Sequence, residues 1–242
     1  MSSVIVDTNL SDACKRRLTV LGYNVIELPP YDGMSSPVAS HPDTLICRIG
    51  DELITSADYC ERAAYVFSDI REMHPSIRVR FCSDGLGEPY PRDCAYNALS
   101  IGTALIAKRG SIAQGVLDTA AAHGLEICDT KQGYAACSTL AFTGADGDAH
   151  AITADCGMAD ILKKRNVKVT KIGEKGIKLP PYSYGFIGGA SGVHGNTVYF
   201  IGDLDTHPDA RVIRDAIESA GLRAVSLSDE ELCDSGGLIF LD

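Results

Sequence analysis

The chain has 242 residues, 45% of them apolar and 22% charged, with 24 glycines and 10 prolines; this excludes disordered and fibrous classes and leaves enough apolar material for a sizeable core in one domain over residues 1–242. Thirty-two acidic against 22 basic side chains leave a formal charge of -10, and the Lys and Arg are dispersed, so the attraction that dominates nucleic-acid binding is missing. No apolar run approaches the ~18 residues of a membrane helix, and the first residues lack a secretory pattern, so the expectation is a cytoplasmic protein that binds neither nucleic acid nor membrane.

In chain order, one pattern recurs. Short apolar runs end at Asp7 (VIVD), Ser56 (LITS), Lys108 (LIAK), Asp155 (ITAD) and Asp203 (FIGD), spaced 47 to 52 residues apart. Amphipathic periodicity predicts a helix after each run, over residues 11–21, 57–67, 111–123, 158–165 and 208–220. The last has Thr206 as a cap, Pro208 in its first turn and Gly221 as its stop. A further strand follows each helix (YNVIELP, IRVRFC, LEIC, VKVTKI, RAVSL), and another precedes each run: TLICRI, AYNALSI, CSTLAF, the Gly-rich YGFIGGASGV, and GGLIFL at residues 236–241. The unit is strand, strand, helix, strand, with the first unit split between the two ends of the chain. Passing from Asp203 through the C-terminus to Asp7 takes 46 residues, one more repeat of the same length. The pattern therefore predicts a five-bladed α/β-propeller of pseudo-fivefold repeats, closed by pairing of the N- and C-terminal strands, which leaves no open edge in the split blade. An open doubly wound sheet is the other arrangement of such alternating elements.

Nine cysteines, at 14, 47, 60, 82, 94, 128, 137, 156 and 233, are scattered without CxxC or zinc spacing. No dinucleotide or phosphate-loop fingerprint occurs either, so neither a metal nor another cofactor is expected. Most of the thiols read as small buried hydrophobes. Aligning the opening strands brings Asp43, Asp93, Gly133, Gly185 and Asp234 to equivalent positions. Three carboxylates converging there would raise at least one pKa or require a cationic ligand; singly, each could equally cap a turn. His41 and Asp43, two residues apart, would share one side of an extended strand. Tyr90-Pro91-Arg92-Asp93-Cys94 sets two charges and a thiol behind a stiff turn, and Lys131-Gln132-Gly133-Tyr134 leads to Cys137. Arg92, Lys131 or a protonated His41 would favour a thiolate; a buried core thiol is the alternative for Cys137.

These residues carry a resemblance. HPDTLICRIGDE, YPRDCAYNA, KQGYAACS, YGFIGGASGV, GDLDTHPD and SGGLIFL are similar to an uncharacterised bacterial family of the pentein, or guanidine-modifying enzyme, superfamily. In that superfamily a Cys attacks a guanidinium carbon, a His moves protons and carboxylates hold the cation. The resemblance implies that His41 and Asp43 match its His-x-Asp motif and that Arg92 and Asp93 match its Arg-Asp turn. Lys131-Gln132-Gly133 stands where the superfamily has Glu-Gly-Gly, with Gln132 in place of the acid, and residues 188–192 match its late Gly-rich segment without the Cys.

Two functions follow. The first is a thiol-dependent hydrolase or transferase acting on a small cationic (guanidino or amidine) or amide substrate. Cys137 would be the nucleophile, with Cys94 and Cys233 in reserve; His41 would be the acid/base and Asp43 its orienting group. Arg92, Asp93, Lys131, Gln132 and Asp234 would bind substrate. The second is a ligand-binding or assembly protein that keeps the fold without the chemistry.

Overall fold

The computed structural model describes residues 2–242 and is a mixed α/β fold of five three-stranded sheets. The second sheet joins β3 (Cys47–Ile49), β4 (Glu52–Ser56) and β5 (Arg78–Cys82); the third β6 (Leu99–Ile101), β7 (Ala104–Ala107) and β8 (Glu126–Asp129); the fourth β9 (Thr139–Thr143), β10 (Ala149–Thr153) and β11 (Lys168–Lys171); the fifth β12 (Ser191–His194), β13 (Thr197–Phe200) and β14 (Arg223–Ser226). In each, the first strand is antiparallel to the second and the second parallel to the third. The first sheet has the same form from both ends of the chain: β1 (Ser3–Asp7) lies parallel to β2 (Asn24–Leu28) and antiparallel to β15 (Ile239–Leu241), with Ser3 opposite Leu241 and Ile5 opposite Ile239.

The middle strands explain why five apolar runs stood out. Every residue of β1, β4, β7 and β13 is buried, as expected of strands covered on both faces. The outer strands β5 and β11 expose half or more of their residues. Two runs end in the residue that caps the next helix, Ser56 accepting from Tyr59 N and Asp155 from Met158 N, while after β1 the cap lies further on, at Ser11, which accepts from Cys14 N.

The helices are α1 (Asp12–Val20), a short α2 (Pro42–Leu45), α3 (Ala57–Arg62), α4 (Ala64–Met73), α5 (Gln114–Ala122), α6 (Cys156–Lys163) and α7 (Ala210–Ser219). Three details differ from the sequence reading. The helix expected over 57–67 is two helices, broken at Ala63 where φ is -111° and ψ 27°. Thr206 does not cap α7; Asp203 caps a 3-10 turn over Leu204–Thr206, and α7 starts later, at Ala210. Most consequential for the site, His41-Pro42-Asp43 is not strand. His41 sits just before α2 with Pro42 at its first position, where proline's missing N–H costs nothing, so His41 and Asp43 do not alternate along an extended backbone. Residues of all five opening strands, among them Arg48, Ser100, Ala141, Val193 and Phe240, line one cavity of about 280 Å³, and Asp43 borders it. No helix among the described residues is long and apolar enough to cross a membrane.

Candidate active site

The turns leading into the opening strands bring the chemistry together. Cys137, just before β9, is 4% exposed. Its thiol donates to Asp43 Oδ2 at 2.6 Å and accepts from Asn97 Nδ2 at 3.1 Å. Asn97 is itself held from both ends: its Oδ1 accepts from the backbone N–H groups of Ala136 (2.8 Å) and Cys137 (3.4 Å). The other Asp43 oxygen, Oδ1, is buried without a hydrogen-bond partner.

His41 is fully enclosed between two other carboxylates, with Nε2 3.5 Å from Asp7 Oδ2 and Nδ1 3.8 Å from Asp234 Oδ1. Each acid is fixed by its own turn. Asp7, at the C-terminal end of β1, accepts from Asn9 N and Ser40 Oγ, both at 2.6 Å. Asp234 accepts from Phe186 N at 2.9 Å and Gly236 N at 3.1 Å. Glycines make the approach possible. Gly236, at φ +71°, lies so close to His41 that a Cβ there would meet the histidine Cβ at 2.4 Å, and a Cβ on Gly189 would meet Asp234 Oδ1 at 2.0 Å. Asp43 N donates to Gly236 O, locking α2 to the Asp234 turn.

The electrostatics follow from burial. Asp43 is pushed up to about 7, first by burial and then by the Asp234 carboxylate. Burial also raises Asp234. The Cys137 thiol is held well above the ordinary thiol range by burial, then by Asp43 and Asp234. The surroundings of this thiol are thus acidic. The sequence reading expected cations to favour a thiolate, but Arg92 is exposed and borders a different hollow with Asp84 and Gly85. Lys131 is exposed, and Gln132 Nε2 is committed to Asp155 Oδ2 at 3.0 Å. The structure does not bring Arg92, Lys131 or Gln132 to Cys137. Asp43 contacts the thiol instead of orienting the imidazole, and Asp7 takes a flank of His41.

Asp93 acts at one remove. It accepts from Tyr134 OH at 2.6 Å and from the Cys94 thiol at 3.4 Å, and Tyr134 lines the cavity into which Cys137, His41 and Asp234 open. Cys94 is buried, with its thiol raised by burial and Asp93. Cys233 faces a separate hollow shared with Cys14 and Ser11. Of the three thiols, Cys137 alone lines the cavity that holds His41. That cavity has a volume of about 280 Å³ and is walled by Tyr134, Tyr182, Tyr184 and Phe186. Among the described residues, no group of three or more His, Cys, Asp and Glu side chains is arranged to hold a metal ion.

Asp7 and Asn97 escaped the sequence reading. Asp7 was one of five equivalent run ends, and Asn97 one polar residue inside the apolar AYNALSI. The available signal was position: ligands of α/β folds gather at the carboxyl ends of strands, where Asp7 sits.

Solved structures share this fold. The crystal structure of a dimethylarginine dimethylaminohydrolase adduct with 4-chloro-2-hydroxymethylpyridine aligns with a TM-score of 0.60 at 12% identity, covering 95% of this chain and 93% of the other. The enzyme of the same name from Pseudomonas aeruginosa, as a cysteine-to-serine mutant with citrulline, aligns at 0.55 and 10% identity over 94% and 92%. The amidinotransferase SxtG from Microseira wollei, of the saxitoxin pathway, aligns at 0.50 and 11% identity over 93% and 77%. The chain therefore has the pentein fold. It belongs to DUF6873, a family of unknown function, whose profile matches residues 5–239. No curated protein matches the sequence.

Proposed function

We propose that this protein is a thiol-dependent hydrolase or transferase of a small guanidino or amidine cation, with Cys137 as nucleophile, Asp43 as its proton acceptor and His41 as acid/base. It would work in a reducing compartment such as the cytoplasm, where its nine unpaired thiols persist. We take the five sheets as a closed five-bladed propeller; the lining of one cavity by all five opening strands supports this, as does the pairing of β15 with β1.

The observation that carries the reading is a surplus of buried negative charge beside a thiol. Asp7, Asp43 and Asp234 surround His41 and Cys137 with no Lys or Arg in the cavity lining, and Asp43 Oδ1 has no partner. A cation about 4 Å from a carboxylate gains on the order of 4 kcal/mol at an effective dielectric near 20, worth roughly 3 pKa units. A bound guanidinium would thus offset the upward push on the thiol. The neighbours in fold include a dimethylarginine hydrolase and an amidinotransferase, which is the same chemistry.

The Cys137 proton passes to Asp43 as the sulfur forms a bond to the guanidinium carbon and the C=N π pair moves to nitrogen. Collapse restores C=N and breaks the bond to the leaving amine, which takes a proton from protonated His41. Water, or an acceptor amine in a transferase, gives a proton to neutral His41 and adds to the carbon. Breaking the C–S bond then returns a thiolate, reprotonated from Asp43, and releases either a new guanidinium or a ureido product whose hydroxyl proton passes to the departed amine, which leaves as an ammonium ion.

The test is a panel of guanidino and amidine compounds assayed for amine release, with intact-mass detection of a covalent adduct on Cys137. Cys137→Ser should abolish turnover, and Asp43→Asn should lower kcat by a factor on the order of 100 to 10,000. Activity that persists in Cys137→Ser removes this thiol from the mechanism. A second reading, a binding protein on the same fold, draws on the raised Cys137 thiol, which is protonated at neutral pH without a ligand. Iodoacetamide separates the two: labelling of Cys137 accelerated by a bound guanidinium supports the enzyme, and labelling that stays slow with the ligand bound supports the binding protein.

A further inference from the structure

The chemistry of the cavity wall narrows the ligand, given the guanidino or amidine reading. Beside His41, Cys137 and Asp234 the lining is mostly aromatic and aliphatic, Tyr134, Tyr182, Tyr184 and Phe186 with Val38 and Leu179, and its remaining polar residues, Thr44 and Ser183, are uncharged. Tyr182 is 50% and Tyr184 37% exposed, two large rings left at a rim where nothing in the fold buries them. Tyr184 belongs to an aromatic row, since it meets Phe186 edge-on at 6.0 Å between centroids and Phe186 meets Tyr134 at 6.3 Å. Exposed aromatic surface beside a polar floor marks a binding face, and aromatic faces attract cations and stack on flat groups.

A second feature is the missing basic residue. An amino-acid substrate brings a carboxylate, and a carboxylate taken out of water needs a cation or several N–H donors. No Lys or Arg lines this cavity. Lys178, next to Leu179 of the wall, is turned to Glu231. The Phe186 N–H is already given to Asp234. Inside the cavity an incoming carboxylate would meet His41 only together with the Asp234 carboxylate 3.8 Å from its Nδ1.

We infer that the natural ligand is a carboxylate-free cation bearing an apolar or aromatic substituent, an alkyl- or arylalkyl-guanidine or amidine, and not a guanidino amino acid. The cationic head sits on the floor formed by Asp234 and Cys137, whose thiol is bonded to Asp43, and the substituent lies along the tyrosines. The volume of about 280 Å³ is at the low end for ligand cavities, which fits one ring and a guanidinium.

Calorimetric titration of the full chain with a matched pair, benzylguanidine and 4-(guanidinomethyl)benzoate, tests this. Benzylguanidine should bind at least ten-fold more tightly, and also more tightly than arginine. Ser183→Arg, at an exposed residue of the cavity's own lining, should bring the benzoate to within about three-fold of benzylguanidine, with an unchanged melting temperature as the check on folding. Tyr182→Ala should weaken benzylguanidine more than methylguanidine. Equal or tighter binding of the benzoate, or of arginine, overturns the inference, while turnover of either through Cys137 leaves the thiol reading standing. Preferred binding of benzylguanidine without turnover upholds the inference and removes the chemistry. Binding of none of these compounds overturns both.

Discussion

Asp43 holds the proton on which the site turns, and that proton has a consequence for stability. Unfolded, the carboxyl titrates near the ordinary aspartate value of 3.8; in the folded chain burial and Asp234 raise it to about 7. Between those values the native state keeps a proton that the unfolded chain has released. The contribution of this group is therefore full below about pH 4 and lost as pH rises through about 7. Asp234, raised by burial, adds in the same direction. Three units correspond to on the order of 4 kcal/mol, so the melting temperature should fall measurably between about pH 5 and about pH 8. Asp43→Asn cannot titrate, and it should shrink that fall by several degrees; an unchanged fall would show that the charge is solvated in the native state. Cys137, His41, Asp43 and Asp234 were legible in the sequence because turns rich in Asp, His and Gly precede otherwise apolar strands. Their pairing was not. Asp43 reaching the thiol and Asp7 reaching His41 depend on which turns face each other across sheets, and no local pattern encodes that.

At the level of elements, the site is built by glycine turns that let one sheet's backbone approach the next sheet's side chains. Gly185 and Gly189 both abut Asp234, Gly133 abuts Cys94, and Gly236 abuts His41. The bare turn at Gly185 admits the Asp234 side chain, and the one at Gly133 admits Cys94 and Tyr90. A Cβ on Gly189 would fall 2.0 Å from Asp234 Oδ1, so Gly189→Ala must drive the carboxylate off its two backbone N–H donors. We expect a loss of about 1 to 3 kcal/mol in stability and at least a ten-fold loss in guanidinium binding. Gly110→Ala meets nothing within 4 Å and should be neutral or gain about 0.4 to 1 kcal/mol. Equal effects from the two variants would remove the argument from close approach. Element types were legible from periodicity and capping residues. The break at Ala63 and the helical turn at Pro42–Leu45 were not, since the apolar pattern runs through the first and the second is only four residues long.

On the scale of the molecule, the fivefold count was legible because four middle strands are buried throughout and the fifth, β10, over its last three residues, so that each writes an apolar run at even spacing. The lateral placement of the sheets was not, since it rests on contacts between turns far apart in sequence. The pairing of the two ends joins the levels. β15 covers the edge of β1, Arg48 of β3 donates to Phe240 O, and the turn before β15 supplies both Asp234 and the Gly236 carbonyl that holds Asp43. Removing residues 238–242 strips the apolar Leu238, Phe240 and Leu241 from the core and leaves β1 with an open edge, which invites pairing with another chain. The shortened chain should lose well over 5 °C of melting temperature, elute as larger species in size exclusion, and lose guanidinium binding although every acid of the site is still present. A shortened chain that melts within about 2 °C of the full one and still binds would mean that the last strand is an ornament on an open arrangement, and the closed propeller would have to be given up.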